Sequence, residues 1–248
     1  MSDKFTIKIR RQDGPDAKPY WQEFEVNFRP GMNVVIALQD IRRDPVTIDG
    51  VKADPVVWEC SCLEEVCGSC AMVINGRARQ ACSALIEDLD RPVTLEPLAK
   101  FPVVRDLMVD RSSLFENFAR VRAWIPIDGT YPMGPGPQVS QEEQEAAYPL
   151  ARCITCGCCL AACPQVNNNS SFMGAAVLNQ ATLLNSYPTG RMNRAARLDV
   201  VRGDGGLAGC GNAQNCERVC PKSIPLVSSI ARLNREALLD AVKRWLGK

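Results

Sequence analysis

Thirteen cysteines and no histidine occur in 248 residues, and eleven of the thiols fall into spaced groups. The first is Cys62-x4-Cys67-x2-Cys70, followed after eleven residues by Cys82. This is the spacing of plant-type [2Fe–2S] proteins. A short loop of this kind wraps one side of a cluster, bringing three thiolates and several backbone N–H groups to it. The fourth thiolate then arrives from the far end of a hairpin. Gly68 allows the tight backbone approach, and the N–H groups make a nest for an anion. The alternative is a four-cysteine zinc site, whose usual pattern is two C-x2-C knuckles rather than x4-x2-x11.

A second group, Cys153-x2-Cys156-x2-Cys159-x3-Cys163-Pro164, has the spacing of the bacterial ferredoxin run, whose fourth cysteine ligates the other cluster. The partner run lies downstream as Cys210-x2-Ala213-x2-Cys216-x3-Cys220-Pro221, with alanine where the second ligand belongs. Crossing the ligands gives two unequal sites. Cys153, Cys156, Cys159 and Cys220 make a complete [4Fe–4S] set. Cys163, Cys210 and Cys216 leave one cubane corner without a ligand, which points to [3Fe–4S]; a labile [4Fe–4S] is the alternative. Ala213 offers no donor atom. Cys60 and Cys158 are left over and are expected to be small buried side chains.

The missing histidine removes Ser-His-Asp and Cys-His catalysis, His-containing zinc fingers, Rieske centres and His-ligated haem from this chain alone. An odd cysteine count and a start (Met1-Ser2-Asp3-Lys4) unlike a signal peptide argue against a disulfide framework. Lys and Arg number 29 against 28 Asp and Glu, so no nucleic-acid footprint is expected. No apolar run has the length of a membrane span, which suggests a soluble or peripheral chain. Neither a dinucleotide nor a P-loop fingerprint occurs, and no nucleophile–base pair can be assembled. No catalytic residue is assigned, and substrate chemistry is expected on partners.

The elements that must hold these thiols can be read from periodicity. Phe5, Ile7 and Ile9, then Phe24, Val26 and Phe28, alternate as two antiparallel strands around a Gly14-Pro15 turn. Val34, Ala37, Leu38 and Ile41 follow helical spacing until Pro45. Further strands are expected at Val56-Val57-Trp58, at Ala71–Ile74 ending on an Asn75-Gly76 turn, and at Pro92–Leu95. Between 126 and 137, seven of twelve residues are Pro or Gly, an irregular connector. Ser140 with Glu143 forms a capping-box signature. Leu226, Ile230, Leu233, Ala237, Ala241 and Trp245 make an amphipathic helix whose stripe is read as core. From Cys153 to Gly190 there is no charged side chain, which suits either a shell around clusters or a docking face.

The three cysteine groups, Leu95-Glu96-Pro97-Leu98 with Phe101-Pro102-Val103-Val104-Arg105-Asp106-Leu107, and Cys220-Pro221-Lys222 together resemble the iron–sulfur subunits of succinate dehydrogenase and fumarate reductase. The resemblance covers nearly the whole chain. It implies an α+β architecture with an N-terminal β-grasp plant-type ferredoxin domain over 1–110 and a connector over 111–139. An all-α bacterial-ferredoxin-like domain over 140–248 would follow. It further implies a flavoprotein partner with covalent FAD and a membrane anchor, commonly haem-bearing, where quinone binds. Electrons would pass from flavin through [2Fe–2S], [4Fe–4S] and [3Fe–4S] to quinone, in the setting of respiratory complex II and the tricarboxylic acid cycle.

Ubiquinone-type relatives carry a tryptophan after the Cys-Pro of the first run and a histidine after the first three-iron ligand. Asn168 and Gly211 stand there, although Pro164 matches. The chain is more similar to the type with a single cytochrome b anchor, often associated with menaquinone, at the cytoplasmic face of the plasma membrane. Alternatives are quinol:fumarate reduction by the same subunit, service to another flavoprotein dehydrogenase, or a zinc interaction module.

Overall fold

The computed structural model describes residues 3–126 and 137–247. The chain divides into two compact units, Met1–Arg111 with Ile154–Ala162, and Ser112–Cys153 with Cys163–Lys248. The 140–248 segment thus contributes the stretch around Cys156 and Cys159 to the first unit.

In the first unit, β1 (Lys4–Arg11) and β2 (Tyr20–Asn27) pair antiparallel, setting Phe5 opposite Val26 and Ile7 opposite Phe24. All four are buried, while Lys4 and Lys8 meet Glu25 and Glu23 on the outer face. A one-residue slip would expose the whole apolar set, so the buried face fixes the register. Helix α1 (Val34–Arg43) starts at Asn33, whose side chain accepts the Ile36 N–H, and buries Val34, Leu38 and Ile41. β3 (Ala71–Ile74) and β4 (Arg77–Gln80) form a hairpin through Asn75 and Gly76, both at positive φ, as a tight primed turn requires. β5 (Val93–Glu96) runs parallel to β1 and antiparallel to β3, completing a mixed sheet of order β2-β1-β5-β3-β4.

Val56-Val57-Trp58, expected as a strand, belongs to none. The Val57 N–H donates to the Asp106 carboxylate at 2.9 Å, and the Val57 carbonyl accepts from Leu107. A side chain and one backbone contact take the place of a ladder. The segment opposite is a small hairpin that periodicity did not indicate, β6 (Val103–Arg105) and β7 (Met108–Val109). Asp106, at its turn, is fully buried and accepts from Arg11 Nε at 2.8 Å and Nη2 at 3.2 Å. Arg11 also donates to Gln22 and to the Asp54 and Pro55 carbonyls. Both charges are therefore paired and hydrogen-bonded, the condition under which buried charge is tolerated.

Among the described residues the second unit is built of helices and contains no strand. These are α2 (Ser112–Arg120) and α3 (Gln141–Ala151), the latter opening on the expected Ser140–Glu143 capping box. The short α4 (Cys158–Ala161) lies in the first unit. There follow α5 (Ala175–Ser186), α6 (Arg194–Arg202), α7 (Asn215–Arg218) and α8 (Leu226–Trp245). α5 is buried on nearly every face, which explains why it carries no charge. Its polar side chains bond its neighbours instead. Asn179 donates to the Leu150 carbonyl of α3, Thr182 to the Ser229 carbonyl and Asn185 to Glu236 of α8. This part of the charge-free stretch is core rather than a docking face.

Leu226, Leu233 and Ala237 of α8 are buried, but Trp245 is exposed, so the stripe stops being core before the last turn. There the helix carries ion pairs, among them Arg202 with Asp240 and Arg244 with Asp199. Apart from its end residues, the Pro- and Gly-rich connector lies outside the described residues. The chain leading to it is held by buried Arg197, which donates to the Arg122 and Trp124 carbonyls.

Candidate metal centres

The four thiols of the first group sit at the two ends of the β3–β4 hairpin. Cys62, Cys67 and Cys70 lie on the loop entering β3, and Cys82 follows β4. Asn33 ties the second end down, for the amide that caps α1 also donates to the Cys82 carbonyl at 2.9 Å. The loop curls through positive φ at Leu63, Glu65 and Gly68, and non-glycine residues hold such a conformation only where their surroundings dictate it. Its N–H groups consequently point at sulfur. Glu64, Val66 and Cys67 donate to Cys62 Sγ at 3.3–3.4 Å, and Glu65 donates to Cys82 Sγ at 3.3 Å. Inward N–H donors at Cys62 and Cys82 suit the anionic sulfurs of a [2Fe–2S] group.

Arg111 clamps the far side of the loop. It donates to the Gly68 carbonyl at 3.0 Å and the Ser69 carbonyl at 3.3 Å, while pairing with Glu59 at 2.8 Å. Glycine is favoured at 68 by space as well as by φ, since a Cβ there would lie 2.5 Å from the Ile154 carbonyl oxygen. The thiols differ in readiness to ionise. Hydrogen bonding from the Cys62 backbone and the Ser69 side chain holds Cys67 down at about 6, whereas burial, then Cys70, pushes Cys82 up to about 12. Metal binding would have to displace the Cys82 proton, while Cys67 is already thiolate near neutrality. Cys60, expected to be buried, is exposed, because the chain around it, Ser61 included, runs along the surface.

Of the four thiols expected to share the [4Fe–4S] set, Cys156 and Cys159 belong to the first unit and Cys153 and Cys220 to the second. Gly157, at φ +85°, makes the turn into α4, with Phe101 packed where a Cβ would stand. Cys158 is fully buried, as expected. Its side chain hydrogen-bonds Cys156 and is the first cause of that thiol's fall to about 7. In the second unit the Ile224 N–H donates to Cys220 Sγ at 3.5 Å.

Cys163, Cys210 and Cys216 line one cavity of about 290 Å³, with Ala213 on its wall. Asn212 and Gln214, on either side of Ala213, take positive φ and bend the backbone around the space. Burial pushes the Cys216 thiol up, and nearby Cys163 and Cys210 push it further. The Cys163, Cys210 and Cys216 thiols share this lining with Ala213, whose side chain offers no donor atom. Among the described residues no three such side chains converge closely enough for a single metal ion.

Three residues that shape the first site carried little or no signal in the sequence. Asn33 stands before an apolar helical run, where an N-cap belongs, but its grip on Cys82 is tertiary. Arg111 had no local mark at all, nor did Gln80, whose Oε1 accepts from Cys70 Sγ at 3.5 Å.

Residues 6–116 match a family profile described as a 2Fe-2S iron-sulfur cluster binding domain, and residues 149–224 match a 4Fe-4S dicluster domain. With the thiol arrangements above, this defines an iron–sulfur protein with a ferredoxin-type domain in each half. The chain is 53% identical to the succinate dehydrogenase iron-sulfur subunit of Bacillus subtilis, covering 100% of this chain and 98% of that protein. It is 34% identical to the fumarate reductase iron-sulfur subunit of Wolinella succinogenes, over 95% and 98% of the two chains. A chain from the Mycobacterium smegmatis Sdh1 complex in the apo form shares the fold with a TM-score of 0.78 at 22% identity, over 96% of each chain. The protein belongs to the family of iron–sulfur subunits of succinate dehydrogenase and fumarate reductase. Among its described residues no helix is long and apolar enough to cross a membrane.

Proposed function

We propose that the chain is the electron-transfer subunit of a membrane-bound succinate:quinone oxidoreductase. Its partners are a flavoprotein with covalent FAD and a haem-bearing cytochrome b anchor, with menaquinone the favoured acceptor, at the cytoplasmic face of the plasma membrane. Clusters bound to this chain supply one-electron steps between flavin and quinone. Cys62, Cys67, Cys70 and Cys82 hold [2Fe–2S] on a β-grasp domain over 1–110. After the connector 111–139, a bacterial-ferredoxin-like domain over 140–248 supplies the other sets. Cys153, Cys156, Cys159 and Cys220 hold [4Fe–4S], and Cys163, Cys210 and Cys216 hold [3Fe–4S]. The residues of this chain keep the thiolates apart, supply N–H groups to sulfur and exclude solvent from the buried ligands.

One observation carries the reading of the last centre. The cavity lined by Cys163, Cys210 and Cys216 is lined by Ala213 as well, the residue that the spacing of the downstream run sets at the second ligand position and that offers no donor atom. The purified complex should contain about nine irons per chain, with three distinct EPR-active centres. A colourless zinc-containing chain would overturn the reading. The co-purifying subunits test the partners, and the preferred direction with succinate or fumarate decides between succinate oxidation and quinol:fumarate reduction.

A further inference from the structure

Gln80 closes β4 and is fully buried. Its amide reaches two sulfurs at once, with Oε1 3.5 Å from Cys70 Sγ and Nε2 3.7 Å from Cys158 Sγ. Cys70 belongs to the first cysteine loop. Cys158 is itself outside the ligand spacing but lies between Cys156 and Cys159, in the α4 turn of the same compact unit. A buried amide is costly unless both its ends are satisfied, and here both ends are occupied by sulfur.

With neutral thiols, Cys70 donates to Oε1 and Nε2 donates to Cys158. Once Cys70 is a cluster ligand it has no proton, and Oε1 would face it acceptor to acceptor. Turning the amide over exchanges oxygen and nitrogen while the rest of the side chain stays in place. Nε2–H then donates to Cys70 Sγ, and Oε1 accepts the Cys158 S–H. The Cys158 thiol is also within reach of Cys156, but Cys156 keeps a hydrogen bond to the Cys158 backbone when that thiol turns away. A buried Oε1 has no such second donor in the geometry described.

We propose that Gln80, oriented by Cys158, is a positioning residue that donates a hydrogen bond to the Cys70 sulfur and thereby raises the reduction potential of the [2Fe–2S] centre. A donor at a ligating sulfur favours the more negative, reduced cluster. The inference rests on the reading of Cys70 as a [2Fe–2S] ligand.

The test is a redox titration of the [2Fe–2S] EPR signal in the purified complex. Gln80→Leu should make the centre about tenfold harder to reduce, a midpoint lower by about 59 mV for one electron. Cys158→Ala should shift it the same way by two- to threefold (roughly a quarter to a half of that effect on the same logarithmic scale), and Cys158→Ser, which retains a donor, should restore it. In wild-type complex labelled with ¹⁵N-glutamine, the reduced centre should show a ¹⁵N hyperfine coupling that Gln80→Leu removes. An unchanged midpoint in Gln80→Leu overturns the proposal, as does a Cys158→Ala shift confined to the [4Fe–4S] centre. Should Gln80→Leu fail to assemble, the wild-type ¹⁵N coupling and the Cys158 pair decide alone, and absence of the coupling refutes the bond. A wild-type complex lacking any [2Fe–2S] signal would instead refute the ligand reading beneath it.

Discussion

Gly68→Ala isolates how closely the first cysteine loop approaches the Ile154 segment. Gly68 has φ +77°, and a Cβ there would lie 2.5 Å from the Ile154 carbonyl oxygen and 3.1 Å from the Cys156 Cα and Cβ. Two costs combine. A left-handed L-residue costs roughly 1–2 kcal/mol. A carbon–carbonyl contact ordinarily needs about 3.3 Å, so one segment must retreat by about 0.8 Å. Overpacking of that order costs roughly 1–3 kcal/mol. Gly76 provides the control, for it has φ +75° with nothing within 4 Å, and Gly76→Ala incurs only the first cost. The excess of Gly68→Ala over Gly76→Ala should therefore lower the unfolding temperature by roughly 2–12 °C in a chain of this size. Both variants must be scanned at one rate, because cluster loss makes unfolding irreversible. The [2Fe–2S] EPR intensity should fall in parallel, since Cys67 and Cys70 flank the displaced residue. Equal unfolding temperatures for the two variants would show that the loop and the Ile154 segment do not meet as described.

Two further outcomes follow from the same geometry. Ala213→Cys supplies a fourth thiolate, so the centre proposed for Cys163, Cys210 and Cys216 should retain a fourth iron, titrate at lower potential and slow quinone reduction. An unchanged EPR signal would refute the register that places Ala213 at the second ligand position. Asp106→Ala strands the buried Arg11 guanidinium and the Val57 N–H, and should cost about 3–5 kcal/mol. Asp106→Asn, which retains an acceptor and tolerates the φ of +49°, should cost clearly less in the same thermal scan.

What the sequence disclosed divides along a physical line. The β1–β2 pair, α1, the Asn75-Gly76 hairpin, the capping box of α3 and the cysteine spacings were all legible, because each is set by residues within a few positions of one another. The β6–β7 hairpin and the absence of a strand at Val56–Trp58 were not. They depend on Asp106, which closes onto Arg11 from 95 positions away, and a lone Asp gives no local sign that it will be buried. Cys60 failed for the complementary reason. Its residue type favours burial, but exposure is decided by where the surrounding chain runs.

The same division separates the ligands from the residues that tune them. Thiolates that share a cluster must recur at spacings dictated by loop geometry, so the cysteines announce the centres. Nothing requires the residues that orient a hydrogen-bond donor to a ligating sulfur, or that hold the cysteine loop, to lie near that sulfur in sequence. Gln80 meets Cys158 across 78 positions and Arg111 meets Gly68 across 43. Both contacts depend on a short excursion or a strand end being folded into one unit with the first cysteine loop. Cluster type is thus written into local spacing, whereas the potential of a cluster depends on tertiary donors. On the reading proposed above, exchanging Gln80 for an apolar residue, while every cysteine is left in place, should lower the [2Fe–2S] potential without changing the cluster type.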